Sequence, residues 1–267
     1  MEITKSQSID SLGACQGVSY QNGRIFLYGD REIGVIREYK ESGDSLQYLN
    51  NEIRLTIAGQ DLINHPTGMA VQGNLPVFIG NSVRLNAEGS LWKAVIYQVN
   101  WEGLQQTRTL DGNLVSTIDD DTCIQGTRPE YVQYQDKWYV ATADYGGKAN
   151  EVRLYDPVAL AKAKKTSEKG VLVKKFSCSP WVQNLLWIPE KKQLVLIQNQ
   201  VEGRKWRFTY VDLDRSIASG KEVVLRVVDI DERADELEGF AFTGSLNNGI
   251  GVSSSRRNNV NRMQVNW

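Results

Sequence analysis

Histidine is almost absent from this chain, since its 267 residues contain only one, His65. The sequence therefore offers no His/Cys cluster of the kind that binds zinc. Any Ser-His-Asp triad or histidine proton relay must use His65, which precedes Thr67 by two residues in a predicted loop. His65 is a candidate catalytic or ligand-binding residue, and the alternative is that it only shapes the loop.

Cysteine is also scarce, and three cysteines cannot form a complete disulfide framework. Cys123 and Cys178 each precede one of two successive repeats described below. A bridge between them would close a loop of about 55 residues and imply an oxidising compartment. The alternative is that all three cysteines are free, packed thiols.

Long apolar runs and an excess of positive charge are both missing. No run approaches the ~18 apolar residues of a membrane span, and Met1–Lys5 lacks the basic and apolar regions of a secretory signal. Lys plus Arg total 31 against 32 for Asp plus Glu, so neither nucleic acid nor a membrane surface is an expected partner. The expected location stays open between the cytoplasm and an exported protein in its mature form.

What the sequence does contain is one pattern repeated five times. A polar residue opens an apolar strand, a turn follows, and a second apolar strand ends on another polar residue. The opening residues are Gln16, Thr67, Glu130, Gln183 and Glu238. The closing residues are Asp30, Asn81, Asp144, Asn199 and Ser254. Repeats of about 50 residues with this strand pattern predict the blades of a β-propeller.

The predicted fold is therefore all-β, a single five-bladed propeller over residues 1–267. The turn at Asn22-Gly23 is a strong hairpin signal. Short helices are expected over Pro157–Lys164, capped by Asp156, and near Asp214–Ala218. The fifth repeat lacks a fourth strand, and Met1–Ser8 is expected to supply it and close the ring. The alternative is a β-sandwich with accidental repetition.

Two stretches resemble known propeller families. His65–Val71 is similar to the blade openings of the NHL and SMP-30/gluconolactonase propellers, and Glu238–Phe242 resembles the last-blade opening of the five-bladed calcium-activated nucleotidases. The resemblance covers about five residues per blade. It implies that the blade-opening side chains surround a calcium ion on the axis. Carried over position by position, the implied ligands are Gln16, Thr67, Glu130, Gln183 and Glu238.

The pattern itself also predicts a polar mouth. The start of each first strand and the end of each second strand lie on the same face of a propeller, so the ten polar residues are expected there. Glu130 and Glu238 would repel each other across the channel unless a cation, a proton or an arginine intervened. Oxygen ligands suit Ca²⁺ or Mg²⁺. The alternative is that Arg128 neutralises Glu130, and that backbone or water satisfies Glu238.

Several mouth residues are candidates for ligand contact. Trp181 is a candidate for stacking on a sugar or base, or else for loop packing. Glu130 and Glu238 are a possible glycosidase acid and base. The full set expected to contact a ligand is Arg128, Asp30, Asn81, Asp144, Asn199, Trp181 and Glu236.

Two functions fit these expectations. The first is a calcium-centred hydrolase of a small ester, lactone or phosphoester, in which Glu130, Glu238 and His65 are the catalytic candidates. The second is a non-enzymatic propeller that binds a small ligand or a protein and holds a structural ion. A monomer is expected in both cases. The fold alone does not decide between them.

Overall fold

The structure is a computed structural model that describes residues 1–123, 126–200 and 205–267. In these residues the strands pair into five four-stranded antiparallel sheets and one short hairpin. The first strands of the five sheets contact one another around a central axis. Each sheet is therefore one blade, and the five-bladed propeller predicted from the repeats is confirmed.

The first three blades follow the chain order from the axis outward. Blade one consists of β2 Cys15–Gln21, β3 Arg24–Gly29, β4 Val35–Ser42 and β5 Ser45–Arg54, after which β6 Thr56–Ile57 and β7 Gln60–Asp61 form the hairpin. Blade two consists of β8 Pro66–Ala70, β9 Val77–Arg84, β10 Trp92–Val99 and β11 Leu114–Asp119. Blade three consists of β12 Glu130–Tyr134, β13 Lys137–Ala143, β14 Glu151–Tyr155 and β15 Leu172–Ser177.

The last two blades complete the ring. Blade four consists of β16 Val182–Ile188, β17 Gln193–Gln200, β18 Lys205–Asp212 and β19 Val224–Ile230. Blade five consists of β20 Leu237–Thr243, β21 Ser245–Ser253, β22 Val260–Gln264 and β1 Glu2–Gln7. Glu2 pairs with Gln264 and Gln7 with Val260, so the N-terminal strand closes the propeller as predicted.

Three helices occupy equivalent positions, between the third and fourth strands of blades two, three and four. They are α1 Trp101–Thr107, α2 Pro157–Lys162 and α3 Leu213–Ser219. The sequence predicted α2 and α3 but missed α1, whose N-cap is Asn100. The segment after each helix forms a parallel bridge to the outer strand of the preceding blade, which covers part of an exposed sheet edge. No helix in the described residues is long and apolar enough to cross a membrane.

The hydrophobic core is divided among the five junctions between neighbouring blades. Phe26 and Ile79 pack between blades one and two, while Leu27 packs against Val252 between blades one and five. Similar clusters lie at the other three junctions. Alternate residues of a strand point to opposite sheet faces, so each blade contributes to two cores. This continuous ring of apolar contacts contradicts the sandwich alternative.

The three cysteines are free thiols in the structure. The Cys123–Cys178 bridge considered from the sequence is therefore not formed. Cys15 is fully buried, and Sγ of Cys123 accepts a hydrogen bond from Nη1 of Arg153 at 3.4 Å. Burial is the main reason that the pKa of each thiol is raised. Such thiols are poor nucleophiles, because the thiolate is disfavoured.

Candidate functional site

Two cavities lie at the two ends of the propeller axis. The first, called the mouth cavity, has a volume of about 270 Å³ and lies where the first strands of the blades begin. The second, called the turn-side cavity, has a volume of about 350 Å³ and lies near the turns that follow those strands. The predicted site residues are divided between the two ends.

The mouth cavity is the polar end. The side chains that carry charge or acid–base chemistry in its lining are His65, Arg128, Tyr145, Glu236 and Glu238. Gln16, Gln183, Ser82 and Ser254 add amide and hydroxyl groups, and Ala14 and Trp92 complete the wall. A small cavity with a few convergent polar groups is the usual form of a small-molecule site.

His65 and Asp30 form a directed pair at the edge of the mouth cavity. Nδ1 of His65 lies 3.0 Å from Oδ2 of Asp30. An ionised carboxylate only accepts hydrogen bonds, so this contact assigns the proton of a neutral imidazole to Nδ1 and leaves Nε2 as an acceptor. Asp30 is held in turn by the backbone N–H of Ala14 at 3.0 Å and by Nε2 of Gln16 at 3.2 Å. The imidazole therefore has a fixed orientation.

Arg128 is a buried cation on another wall of the mouth cavity. Its Nε donates to the backbone carbonyl of Gln183 at 3.0 Å, and its Nη2 donates to Oε1 of the same residue at 3.3 Å. The guanidinium carbon lies 5.2 Å from the centre of the Tyr145 ring. Nε2 of Gln183 then donates to Oε2 of Glu236 at 3.4 Å. Burial lowers the pKa of Arg128, and nearby groups including Glu238 oppose that shift.

Glu238 is buried in the same lining, with only 3% of its surface exposed. Burial raises the pKa of its carboxyl well above the ordinary value, and the neighbouring Glu236 raises it further. The Arg128 cation lowers the pKa but does not reverse the shift. The environment of Glu238 therefore favours the protonated form of its carboxyl, the form that can donate a proton.

Glu130 does not face Glu238 across the mouth, as the sequence analysis expected. It lines the turn-side cavity instead, together with Tyr28 and Asn184. Burial raises the pKa of Glu130 to about 8, and a hydrogen bond from the backbone N–H of Tyr131 opposes the shift. Arg128 contributes nothing to that shift, so the expected neutralisation of Glu130 by Arg128 is not supported.

The reason is a difference in strand register. In blades one, two, four and five the opening polar residue sits in a β-bulge, and the next residue is paired. Blade three has no bulge, so Glu130 itself is the first paired residue and opposes Ala141. Tyr134 and Gln21 are the last strand residues before the turns of blades three and one. Glu130 precedes Tyr134 by four residues, and Gly17 precedes Gln21 by four residues. Counting back from the turns therefore aligns Glu130 with Gly17 and not with Gln16. Arg128 consequently supplies blade three's side chain to the mouth.

Several other predicted mouth residues have structural roles. Oδ1 of Asn81 accepts from the backbone N–H of His65 at 2.9 Å, and Oδ1 of Asn199 accepts from that of Leu237 at 2.7 Å. Oγ1 of Thr67 donates to the carbonyl of Thr127. None of the three predicted residues lines the mouth cavity. They hold the loops that position His65 and Glu238.

Asp144 and Trp181, both predicted to contact a ligand, instead contact other side chains of the protein. Asp144 forms a buried ion pair with Arg153, with 2.8 Å between Oδ2 and Nη1. The ring of Trp181 packs edge-on against Tyr145, with 5.4 Å between the ring centres. Trp181 therefore supports the wall that carries Tyr145, which is the loop-packing alternative considered from the sequence.

Tyr145 and Ser82 place a hydroxyl in the mouth cavity and were missed by sequence reasoning. Tyr145 follows the closing residue of blade three, and burial raises its pKa to about 12. Ser82 follows the closing residue of blade two, and its buried Oγ has no hydrogen-bond partner in the described part of the chain. Each directly follows a closing residue of the repeat, Asp144 for Tyr145 and Asn81 for Ser82. Including the residue after each closing residue among the candidates would have found both.

The five positions implied as calcium ligands do not fit a shared ion. Thr67 and Glu130 do not line the mouth cavity, and Oε1 of Gln183 already accepts from Arg128. The remaining acid, Glu238, lies close enough to the Arg128 cation for that charge to lower its pKa. Among residues 1–123, 126–200 and 205–267, no three His, Cys, Asp or Glu side chains cluster as a metal site.

Comparisons with known proteins add little to this arrangement. No family model matches the chain, and no curated protein matches it by sequence. Hydrazine synthase from Kuenenia stuttgartiensis is a similar solved structure, at 13% identity and a TM-score of 0.47, over 92% of this chain and 57% of that one. A chain of the mitotic checkpoint complex is similar at 11% identity and a TM-score of 0.48, over 93% of this chain and 61% of that one. This chain thus spans about three fifths of either, and the fold assignment rests on its own strand pairing.

Proposed function

We propose that the mouth cavity is the active site of a hydrolase that cleaves a small ester, lactone or phosphoester. The observation that carries the proposal is the His65–Asp30 contact of 3.0 Å beside a cavity that also holds a buried carboxyl, Glu238, and a buried cation, Arg128. Paired groups with opposite acid–base character are typical of catalytic sites. The proposal keeps the substrate classes expected from the sequence and replaces the metal with these side chains.

Each side chain has a defined role in this reaction. Nε2 of His65 accepts a proton from water, which attacks the carbonyl or phosphoryl centre, while Asp30 stabilises the imidazolium that forms. The Arg128 guanidinium binds the phosphoryl group of a phosphoester, or the negative charge that develops on the carbonyl oxygen of an ester or lactone. Glu238 donates its proton to the leaving oxygen, so that water is added across the cleaved bond. The Ser82 hydroxyl, which has no hydrogen-bond partner within the described residues, is available to orient the substrate.

Replacing His65 with Gln is expected to lower kcat by about 100-fold or more, because general base catalysis contributes factors of this size. Asp30→Asn is expected to lower kcat as well, because an amide can donate to Nδ1 and favour the wrong tautomer. The measurement is hydrolysis of 4-nitrophenyl acetate, 4-nitrophenyl phosphate and a δ-lactone by the wild type and both variants. Arg31→Gln, at an exposed residue next to Asp30, is the matched control.

The binding alternative makes a different prediction for the same site. Arg128 is held by Gln183 and Tyr145, an arrangement that also suits simple capture of a small anion. Saturable binding of phosphate or benzoate in calorimetry, without turnover of any of the three substrates, would support a non-enzymatic propeller and reject the hydrolase.

Calcium is expected to leave the melting temperature unchanged within about 1 °C, because a ligand must bind the folded state to stabilise it and the implied ligands do not converge. The measurement is thermal unfolding in millimolar CaCl₂ and, separately, in EDTA. A rise of several degrees in calcium that disappears in Glu238→Gln would restore the axial-metal hypothesis.

A further inference from the structure

The turn-side cavity is chemically unlike the mouth cavity. Five aromatic side chains line it, and the apolar side chains of Val18, Met69 and Leu246 fill much of the remaining wall. The aromatic residues are Tyr20, Tyr28, Trp187, Phe240 and Phe242. Phe240 and Phe242 contact edge to face, with 5.0 Å between the ring centres. Apolar compounds and cations are both attracted to the faces of such rings.

Glu130 is the acidic group deep in this cavity. Its carboxyl forms no ion pair and no hydrogen bond with another side chain in the described part of the chain, and the residue remains partly exposed. Glu190 is a second carboxylate in the lining, and no Lys, Arg or His among the described residues lines the cavity. A carboxylate in an apolar site without a cation is costly, so Glu130 holds its proton up to about pH 8, and above that pH its charge is not balanced within the lining.

Glycine takes the place of Glu130 in three of the other blades, and this allows an aromatic ring to form part of the cavity wall. Gly17, Gly68 and Gly239 occupy the paired position that Glu130 occupies in blade three. A Cβ on Gly17 would lie 2.2 Å from the Tyr28 ring, so the absence of a side chain there permits the ring position. Nδ2 of Asn184 donates to Oη of Tyr28 at 3.2 Å and fixes that ring in the cavity wall.

We propose that the turn-side cavity binds a small organic ammonium ion with an apolar body. The ammonium group pairs with the Glu130 carboxylate, and the apolar body packs on the aromatic rings. A cation supplies the charge that the lining lacks, while an anion would meet two carboxylates. This site is separate from the mouth cavity and does not depend on the hydrolase proposal.

The test measures binding of three compounds to the wild type at pH 9, by calorimetry and by the change in tryptophan fluorescence. The compounds are benzyltrimethylammonium, benzyl alcohol and benzoate, which share a phenyl ring and differ in charge. We expect saturable binding of the ammonium ion, at least 10-fold tighter than that of benzyl alcohol. Any binding of benzoate is expected at Arg128 in the mouth cavity, and it should therefore be the same in Glu130→Gln as in the wild type. Equal affinities for the ammonium ion and the alcohol, or no saturable binding of the ammonium ion, would overturn the proposal.

Glu130→Gln separates the charge contribution from the apolar one. The variant is expected to lose at least 10-fold in affinity for benzyltrimethylammonium and to bind benzyl alcohol as the wild type does. Arg31→Gln, at the other end of the propeller, is the control and is expected to change neither affinity. Unchanged ammonium binding in Glu130→Gln would also reject the proposal. Should that variant fail to fold, the ratio of the ammonium and alcohol affinities in the wild type still decides the matter.

Discussion

Glu130→Gln is expected to unfold at a higher temperature than the wild type at pH 8, and at nearly the same temperature at pH 5. The pKa of Glu130 is raised from 4.5 to about 8 by burial, so the folded protein holds a proton that the unfolded chain releases between these values. Stability therefore falls as the pH rises from about 4.5 to 8, and is lowest above that window. Gln has no proton to lose, so the variant escapes this loss.

The expected gain is large for a single substitution. One pKa unit corresponds to about 1.4 kcal/mol, so the full shift sets an upper limit near 5 kcal/mol. Because the cavity gives the carboxyl some access to water, we expect roughly 2 kcal/mol at pH 8. That gain corresponds to about 5 °C for a chain of this size. The measurement is thermal unfolding of both proteins at several pH values.

Glu190→Gln provides the matched control, because Glu190 is an exposed carboxylate of the same cavity lining. Its melting curve is expected to follow that of the wild type at every pH. A constant difference between Glu130→Gln and the wild type from pH 5 to pH 8 would show that Glu130 does not titrate in this window. The burial of its carboxyl would then have to be rejected.

Deleting residues 1–8 is expected to give a protein that aggregates or does not fold. The deletion removes β1 and leaves β22 as an unpaired edge in blade five, and such an edge is a template for association. It also removes the two hydrogen bonds between the Gln7 side chain and the Leu46 backbone, which join blade five to blade one. The measurement combines size-exclusion chromatography, circular dichroism and thermal unfolding.

Moving the deleted segment provides the control. Glu2 pairs with Gln264, so a copy of residues 1–8 placed after Trp267 through a short turn can form the same antiparallel pair. This relocated strand is expected to restore a folded monomer. A truncated protein that is monomeric and melts like the wild type would contradict the role of β1 in closing the ring.

The repeat was sufficient to predict the blades, because it depends on local patterns. Alternating apolar strands, the Asn22-Gly23 turn and the Pro157 helix start are each encoded within a few residues. The α1 helix was missed because its signal is weak: Asn100 directly follows a strand, and the helix is only seven residues long and contains Gly103. The closing strand was predicted by elimination, since blade five lacked a fourth strand.

The composition of the site depended on features with weaker local signals. His65, Glu238, Gln16 and Gln183 were correctly expected near the mouth, because the repeat marks the first residues of each blade. Glu130 was assigned to the wrong end because a β-bulge adds one residue to the other four blades and not to blade three. A shift of one residue in a strand moves a side chain to the opposite face.

The sequence by itself determined the all-β class, the number of blades, the closure by the first strand and the polar character of one mouth. All of these follow from patterns within single strands and from the count of strands. Only the tertiary structure decided which polar residues meet: His65 with Asp30, and Arg128 with Gln183. Contacts between blades depend on the packing of segments that are distant in the chain, and no stretch of a few residues encodes them.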